Sequence, residues 1–180
     1  MNAPTAGPDF GLPASDISNR RPSDIAALRE AGRQDLPCVN AIVAAAIDTW
    51  HVSERVKRIS LPLYQYHAHD LEHLQILIAE TAGSEIAGIA AIEAAEPAEC
   101  PHGLKSSLLH GIYVDPQQHR NGIGSRLLEK MESMAGSSGF PSMLVKARPE
   151  SVKFFEARGF VKLPTEDHRR HYPYRYWKQL

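Results

Sequence analysis

The segment 108–128, LLHGIYVDPQQHRNGIGSRLL, changes character twice within a few residues. Its apolar start predicts a buried strand over residues 108–114. Asp115-Pro116 ends this strand, because proline has no N–H to give to a neighbouring strand. A polar loop follows, and from Ile123 onwards apolar side chains recur at helical spacing. Gly122 and Gly124 therefore stand where a buried strand passes through a short loop into the N-terminus of a helix.

A helix N-terminus flanked by glycines can bind an anion. The first N–H groups of a helix have no acceptor within the helix, and the helix dipole makes that end electropositive. Glycine lets a phosphate approach these donors, and Arg120 and Ser125 offer further contacts. A helix start without a ligand is the alternative for Gly-x-Gly alone. Two nucleotide motifs are excluded, because Leu127 replaces the third small residue of the dinucleotide fingerprint and no Gly-Lys-Ser/Thr follows.

The whole arrangement resembles the cofactor-binding motif of the GNAT superfamily of N-acetyltransferases. That motif reads Arg/Gln-x-x-Gly-x-Gly/Ala after a strand that ends in Val-x-Pro. Here Val114-Asp115-Pro116 precedes HRNGIG at 119–124, with His119 in the first position. Members also carry Tyr-Glu-x-x-Gly-Phe at the end of a helix, and this chain reads FEARGF at 155–160. The resemblance covers roughly residues 25–180 and implies an α/β (α+β) fold, a single three-layer domain with a mixed, mostly antiparallel central sheet flanked by helices.

The resemblance also implies acetyl-CoA (coenzyme A) as the co-substrate. Its pyrophosphate would lie on the loop 119–124, and its pantetheine arm would follow the backbone of the strand 108–114. Position 148, often an asparagine that contacts the cofactor, is Arg148 here, and Phe155 replaces the tyrosine near the CoA sulfur. The residues expected at the cofactor are Ile112, Tyr113, Val114, His119, Arg120, Asn121, Gly122, Ile123, Gly124, Ser125, Arg148 and Phe155.

The reaction that the family implies is direct attack of an acceptor amine on the thioester, through a tetrahedral intermediate. Several members use a glutamate of the central strand as the base, and Leu108 occupies that position here. His110 lies two residues further on, on the same face of a regular strand, and histidine titrates near neutral pH. Glu93 on the preceding strand would lie opposite His110 and either act as base through water or orient it. The alternative is a strand histidine and a solvated glutamate with no catalytic role.

The leaving thiolate has no obvious proton donor, because Phe155 carries no hydroxyl group. Tyr113, Tyr172, Tyr174 and Tyr176 are the candidates, and water is the alternative. The missing glutamate and tyrosine also favour a rival interpretation, a non-catalytic acyl-CoA-binding or regulatory GNAT-like module.

The segment 50–73 is expected to form one wall of the acceptor site. In the fold that the family implies, this segment lies between the first two strands, where its aromatic and acidic residues could face an amine. Its length favours a small-molecule amine over a protein lysine as the acceptor. His67, His69 and His73 lie in the same segment, but their spacing fixes no ligand geometry, so we expect no metal.

Composition limits the remaining function classes. A chain of 180 residues, 43% of them hydrophobic, can bury the core of one domain. The formal net charge of −1 gives no pull toward nucleic acid or an anionic membrane, and no apolar run approaches the ~18 residues of a membrane span. Two cysteines do not suggest a disulfide framework, so we expect a cytoplasmic protein. A homodimer is compatible with such a domain.

Proline, glycine and polar clusters divide the chain into elements. Residues 1–22 predict a flexible tail, and the domain is expected to span residues 23–180. Strands are predicted at 25–30, 74–81, 86–94, 108–114, 142–147, 161–163 and 174–178. Helices are predicted from Asp35-Leu36-Pro37, with Asp35 as an acidic cap, from Ile123 and from Pro149. The segment 50–73 is the least regular part of the chain.

Overall fold

The apolar runs of the sequence come together as one sheet. The computed structural model describes residues 25–166 and 171–180, so the tail predicted for residues 1–22 lies outside the described residues. The sheet has seven strands in the order β1-β2-β3-β4-β5-β7-β6, and every neighbouring pair is antiparallel except β4 and β5. The strands are β1 (Ile25–Glu30), β2 (Gln75–Thr81), β3 (Ile86–Ala94), β4 (Ser107–Val114), β5 (Ser142–Lys146), β6 (Val161–Lys162) and β7 (Arg175–Gln179).

Helices cover both faces of this sheet. The helices are α1 (Leu36–Asp48) and α2 (Glu54–Tyr64) on one face, and α3 (Ile123–Ser137) and α4 (Val152–Glu156) on the other. Val39 and Val43 of α1 and Leu127 and Met131 of α3 are fully buried, because each helix turns its apolar stripe toward the strands. This three-layer, mixed and mostly antiparallel arrangement confirms the fold that the sequence motifs predicted.

The start of α1 differs from the prediction in one detail. The helix begins at Leu36 with Pro37 in its first turn, as predicted, but the Asp35 carboxylate does not cap it. The carboxylate instead accepts a hydrogen bond of 2.7 Å from the Gly32 backbone N–H and pairs with the Arg29 guanidinium at 2.8 and 2.9 Å. A guanidinium offers two parallel donors to a carboxylate, which is a stronger contact than a helix cap.

The segment 50–73 contains a helix that the sequence analysis did not predict. Ser53 caps α2 by accepting a hydrogen bond of 3.4 Å from the Val56 N–H. Three apolar side chains of α2 point to solvent, with Val56 44%, Ile59 60% and Leu63 79% exposed, whereas Leu61 packs against the core, and Pro62 lies in the last turn. A proline inside a helix weakens the sequence signal of that helix.

A β-bulge interrupts β4 at His110. Gly111 pairs with Ala91 and Leu109 pairs with Ile92, so His110 is an extra residue with no partner of its own on β3. As a result, His110 and Gly111 both face the α1 side of the sheet. A Cβ atom on Gly111 would lie 2.4 Å from the Tyr113 ring, so only glycine allows that ring to lie over the strand.

The strands β4 and β5 diverge at this bulge. Their parallel pairing runs from Ser107 to Leu109 on β4 and ends there. Residues 111–114 pair with β3 on one side, but in the described part of the chain no strand pairs with them on the β5 side. The backbone N–H and C=O groups along that side are therefore available to a ligand, except that the Val114 carbonyl oxygen lies 3.1 Å from the His119 Nε2.

Candidate active site

The loop 119–124 folds as a concave turn at the N-terminus of α3. Arg120 has φ +66° and Gly122 has φ +78°, both in the left-handed region, and Gly122 is the residue from which α3 starts. Consecutive N–H groups in such a turn converge on one point, which suits an anion. A Cβ on Gly124 would lie 3.5 Å from the Phe154 ring and 3.7 Å from the Val114 side chain. Glycine at 124 therefore leaves open space between the loop and these two side chains.

The side chains expected at the cofactor take different positions around this loop. The His119 side chain reaches back to the sheet. Its Nε2 lies 3.1 Å from the Val114 carbonyl oxygen, and this contact fastens the loop to the end of β4. Asn121 donates a hydrogen bond of 3.2 Å to Gln118. Arg120 is exposed and has no partner among the residues that the structure describes. Of these side chains, Arg120 is the one best placed to pair with a phosphate.

Arg158 is a second cation beside the loop, and the sequence analysis missed it. Its guanidinium stacks on the Phe154 ring at 3.8 Å and donates to the Phe154 carbonyl oxygen at 2.9 Å. It also donates a hydrogen bond to the Ser125 hydroxyl of α3. Arg158 occupies a variable position of the FEARGF motif, so the motif alone gave no signal for it.

Phe155 lies in the core rather than along the open side of β4. Its side chain is 5% exposed and packs edge-on against the rings of Phe154 and Phe160. The adjacent Phe154 is the ring that faces Gly124. The placement of Phe155 at the cofactor stays a prediction, and the geometry favours Phe154 for that contact.

A pocket of about 360 Å³ opens on the other face of the sheet, beside α2. His110 and Glu93 line it together, with the His110 Nε2 3.4 Å from a Glu93 carboxylate oxygen. Glu93 pairs with Leu108 in the ladder, and the bulge carries the next side chain on that face, His110, toward it. The structure therefore brings together the two residues that the sequence analysis selected as catalytic. Both side chains remain accessible, at 45% and 33% exposure.

Two buried tyrosines form the floor of the pocket. Burial raises the pKa of both Tyr66 and Tyr113 well above the usual range of a phenol, so both stay protonated at neutral pH. The backbone of Tyr66 is fixed by Asn40 of α1, which donates to its carbonyl oxygen at 2.8 Å and accepts from its N–H at 2.8 Å. Tyr66 had no signal in the sequence, because its contact with α1 is visible only in three dimensions.

The remaining candidate proton donors are separated by the fold. The Tyr176 hydroxyl donates to Glu156 at 3.2 Å on the α4 face, and Tyr174 packs against the core on that same face. Tyr172 is 38% exposed, and burial raises its pKa against the opposing charge of Arg148. Of these candidates Tyr113 lines the pocket, whereas the Tyr172 ring lies 6.0 Å from that of Tyr174.

Histidines of the segment 50–73 also approach one another. The ligand atoms of His69, Glu72 and His73 lie within 4.8 Å of one another, and all three side chains are exposed. Exposed groups of this kind are common without an ion, and His69 and His73 also line the pocket mouth. We therefore treat them as part of the pocket rim.

None of the described helices is both long enough and apolar enough to cross a bilayer.

The sequence profile described as the acetyltransferase (GNAT) domain matches residues 43–175, more than half of the chain. The chain belongs to the GNAT family of acetyltransferases. This match confirms both the family and the acetyltransferase class of enzyme that the two motifs predicted. The non-catalytic interpretation is correspondingly disfavoured.

Individual relatives agree with this membership. The GNAT chain is 28% identical over 121 residues to the L-methionine sulfoximine/L-methionine sulfone acetyltransferase of Pseudomonas paraeruginosa, covering 66% of this chain and 69% of that one. It superposes on the PaiA N-acetyltransferase of Thermoplasma acidophilum in complex with coenzyme A with a TM-score of 0.69 and 15% identity, over 86% of this chain and 98% of that one. A GNAT acetyltransferase of Brucella melitensis in complex with acetyl-CoA gives a TM-score of 0.60 and 16% identity, over 85% and 86% of the two chains.

Proposed function

We propose that this GNAT enzyme transfers an acetyl group from acetyl-CoA to the primary amine of a small molecule. Acetyl-CoA is the co-substrate of the family. The observation that carries the proposal is the paired arrangement of His110 and Glu93, 3.4 Å apart, in a pocket at the point where β4 and β5 diverge. A proton acceptor thus lies beside the opening through which a thioester can be reached.

The cofactor is proposed to lie on the opposite face, that of α3. Its pyrophosphate would accept hydrogen bonds from the N–H groups of the loop 119–124 and pair with Arg120, with Ser125 and Arg158 at the rim. The pantetheine arm would follow the open backbone of Ile112, Tyr113 and Val114. His119 would act indirectly, by fastening the loop to β4.

The reaction then requires three proton transfers, two from the nitrogen and one to the thiolate. His110, oriented by Glu93, accepts a proton from the ammonium group, and the freed nitrogen lone pair attacks the thioester carbon. A backbone N–H of residues 112–114 stabilises the tetrahedral oxyanion. Collapse of the intermediate breaks the C–S bond, the nitrogen loses its second proton to water to leave a neutral amide, and the CoA thiolate takes a proton from Tyr172, Tyr113 or water. No covalent acetyl-enzyme forms.

A small acceptor fits the pocket better than a protein side chain. A volume of about 360 Å³ lies at the lower end of the range of small-molecule sites. The segment 63–74 closes one side of the pocket, so a protein lysine could enter only on a narrow, extended stretch of chain. The Pseudomonas relative acts on two amino-acid derivatives, according to its name, and we propose an acceptor of similar size.

The function is tested by thiol release from acetyl-CoA with a panel of small amines, together with calorimetric titration of acetyl-CoA. We expect binding without an amine and thiol release only with one. Binding without release for every amine would favour the acyl-CoA-binding module instead. Absence of binding would contradict the proposal at its first step.

The role of His110 is tested by His110→Ala, assayed from about pH 6 to 9. We expect kcat to fall by roughly 10²- to 10⁴-fold with little change in acetyl-CoA affinity. His67→Ala is the matched control, because this exposed histidine lies in the neighbouring segment but does not line the pocket. Equal turnover by His110→Ala and the wild type across this range would remove His110 from the mechanism.

A further inference from the structure

Arg148 lies two residues beyond the end of β5, close to the point where β4 and β5 separate. Its guanidinium carbon lies 3.8 Å from the centre of the Trp50 ring. Trp50 packs against the apolar cluster beneath α1, so the guanidinium lies on the same face of the sheet as His110. The phosphate-binding loop lies on the other face. Arg148 is therefore on the acceptor side of the diverging strands.

The donors of Arg148 are poorly matched within the protein. Its Nε is buried and has no hydrogen-bond partner among the described residues. One terminal nitrogen donates to a Glu150 carboxylate oxygen at 3.4 Å, a long contact to a side chain that is 42% exposed. An arginine has five N–H donors in a fixed fork, and a buried donor without an acceptor costs free energy. These unmatched donors indicate a site that a ligand completes.

The surroundings of Arg148 are shared with the acceptor pocket. Tyr64 lines the pocket and packs edge-on against Trp50, with ring centres 5.1 Å apart. Tyr113 also lines the pocket, and the charge of Arg148 partly offsets the rise that burial causes in the pKa of its phenol. Its ring lies over Gly111, beside His110. A molecule with its amine at His110 can therefore extend past the Tyr113 ring toward the guanidinium.

We propose that Arg148 selects the acceptor by binding a carboxylate, so that the preferred acceptor is an α-amino acid rather than a simple amine. This rests on the proposed function and assigns Arg148 to the acceptor rather than to the cofactor. The two oxygens of a carboxylate match the fork of a guanidinium, and stacking on Trp50 fixes the plane of that fork. The α-amine next to the carboxylate then faces His110.

The test compares L-methionine sulfone with its carboxamide, which differs only in the group that Arg148 would bind. The ratio of kcat/KM for the acid to that for the amide is measured by thiol release at saturating acetyl-CoA. We expect the wild type to favour the acid by on the order of 10- to 100-fold. Arg148→Gln should abolish this preference by raising KM for the acid alone, and Arg148→Lys should restore part of it. The amide also lowers the basicity of the amine, but equally for every variant.

Two further variants sharpen the comparison. Arg158→Gln removes a guanidinium with the same 3.8 Å aromatic stacking on the opposite face, and should change KM for acetyl-CoA while leaving the acid-to-amide ratio unchanged. Glu150→Gln removes the competing carboxylate and should increase the ratio. It also keeps the inference testable if Arg148→Gln fails to fold, because an unchanged ratio in Glu150→Gln would overturn it.

Other outcomes separate this inference from the proposed function. A wild-type ratio near one, or an equal loss for acid and amide in folded Arg148→Gln, would overturn the role of Arg148. Turnover of simple amines but of no α-amino acid would do the same and leave the acetyltransfer proposal intact. Failure with every amine would remove both.

Discussion

At the scale of single residues, Gly111 determines the shape of the site more than any charged side chain does. The bulge turns two consecutive residues of β4 toward the same face, and the Tyr113 ring lies over the second of them, Gly111. The first, His110, projects into the pocket. The second has no room for a side chain. The histidine is thus available to a ligand because its neighbour is glycine.

Gly111→Ala should therefore destabilise the fold and disturb the pocket. Its Cβ would lie 2.4 Å from the Tyr113 ring, and moving a packed ring costs about 1–3 kcal/mol. Urea unfolding measures this change in the free energy of unfolding. Gly136→Ala in α3 is the matched control, because its Cβ would meet open space and alanine stabilises a helix by roughly 0.5–1 kcal/mol. Equal stability of Gly111→Ala and the wild type would show that the Tyr113 ring can move aside without a measurable cost in free energy.

The sequence contained part of this information. The choice of His110 and Glu93 rested on a period of two and an assumed regular hairpin, and the two side chains do meet. They meet for a different reason, however, because the pairing is shifted by the bulge. A bulge has no composition of its own, so residue spacing could not predict it. Tyr66 was missed because its partner Asn40 is distant in sequence, and Arg158 because it occupies a variable position of the motif.

At the scale of elements, the ends of strands and helices were predictable where a proline or glycine marks them. Pro116 and Gly122 mark strand and helix ends that the structure reproduces within a residue or two, and Pro149 begins a 3₁₀ turn that leads into α4 three residues later. The helix α2 was missed although Val56, Ile59 and Leu63 recur at helical spacing, because charged clusters and Pro62 gave the segment an irregular look. Helical spacing alone is a weak guide where a proline lies inside the segment.

The N-terminus of α3 gives the prediction that belongs to this scale. Gly124→Glu should abolish acetyl-CoA binding, since the new carboxylate would occupy the space between the loop, Phe154 and Val114 and repel the pyrophosphate. The fold should survive, because a glutamate in the first turn of a helix interacts favourably with the helix dipole.

Calorimetry measures the acetyl-CoA affinity of Gly124→Glu, and circular dichroism measures its unfolding temperature. Gly124→Ala is the control, because its Cβ makes only ordinary contacts of 3.5 Å or more. Retained affinity in folded Gly124→Glu would mean that the pyrophosphate lies elsewhere.

At the scale of the whole molecule, one ion pair ties the first strand to the first helix. Arg29 of β1 pairs with Asp35 at 2.8 Å and with Glu80 of β2 at 2.7 Å. The guanidinium, followed by the Gly32 N–H, lowers the pKa of the Asp35 carboxyl below its ordinary value, although burial opposes this. A carboxyl whose pKa is lowered by folding stabilises the fold above its unfolded-state pKa. That stabilisation is lost as the pH falls through the folded-state value.

Asp35→Asn should therefore lower the free energy of unfolding by about 1–3 kcal/mol at neutral pH. The difference from the wild type should shrink as the pH falls from about 5 toward 2, since the wild-type carboxyl then becomes protonated. Urea is the denaturant to use, because guanidinium chloride would screen the ion pair. Glu129→Gln on the exposed face of α3 is the control. A difference that does not vary with pH would assign the effect to packing rather than charge.

The homodimer and the cytoplasmic location stay predictions.

The separation of β4 from β5 has a consequence for the order of events. On the proposed function, the sheet acts as a partition with a slot, and the donor and the acceptor approach the slot from opposite sides. The two substrates do not compete for the same space, so both can be bound to the enzyme at the same time. Steady-state kinetics should then show intersecting rather than parallel lines in double-reciprocal plots. The acetylated product and free CoA would then leave from opposite faces of the sheet.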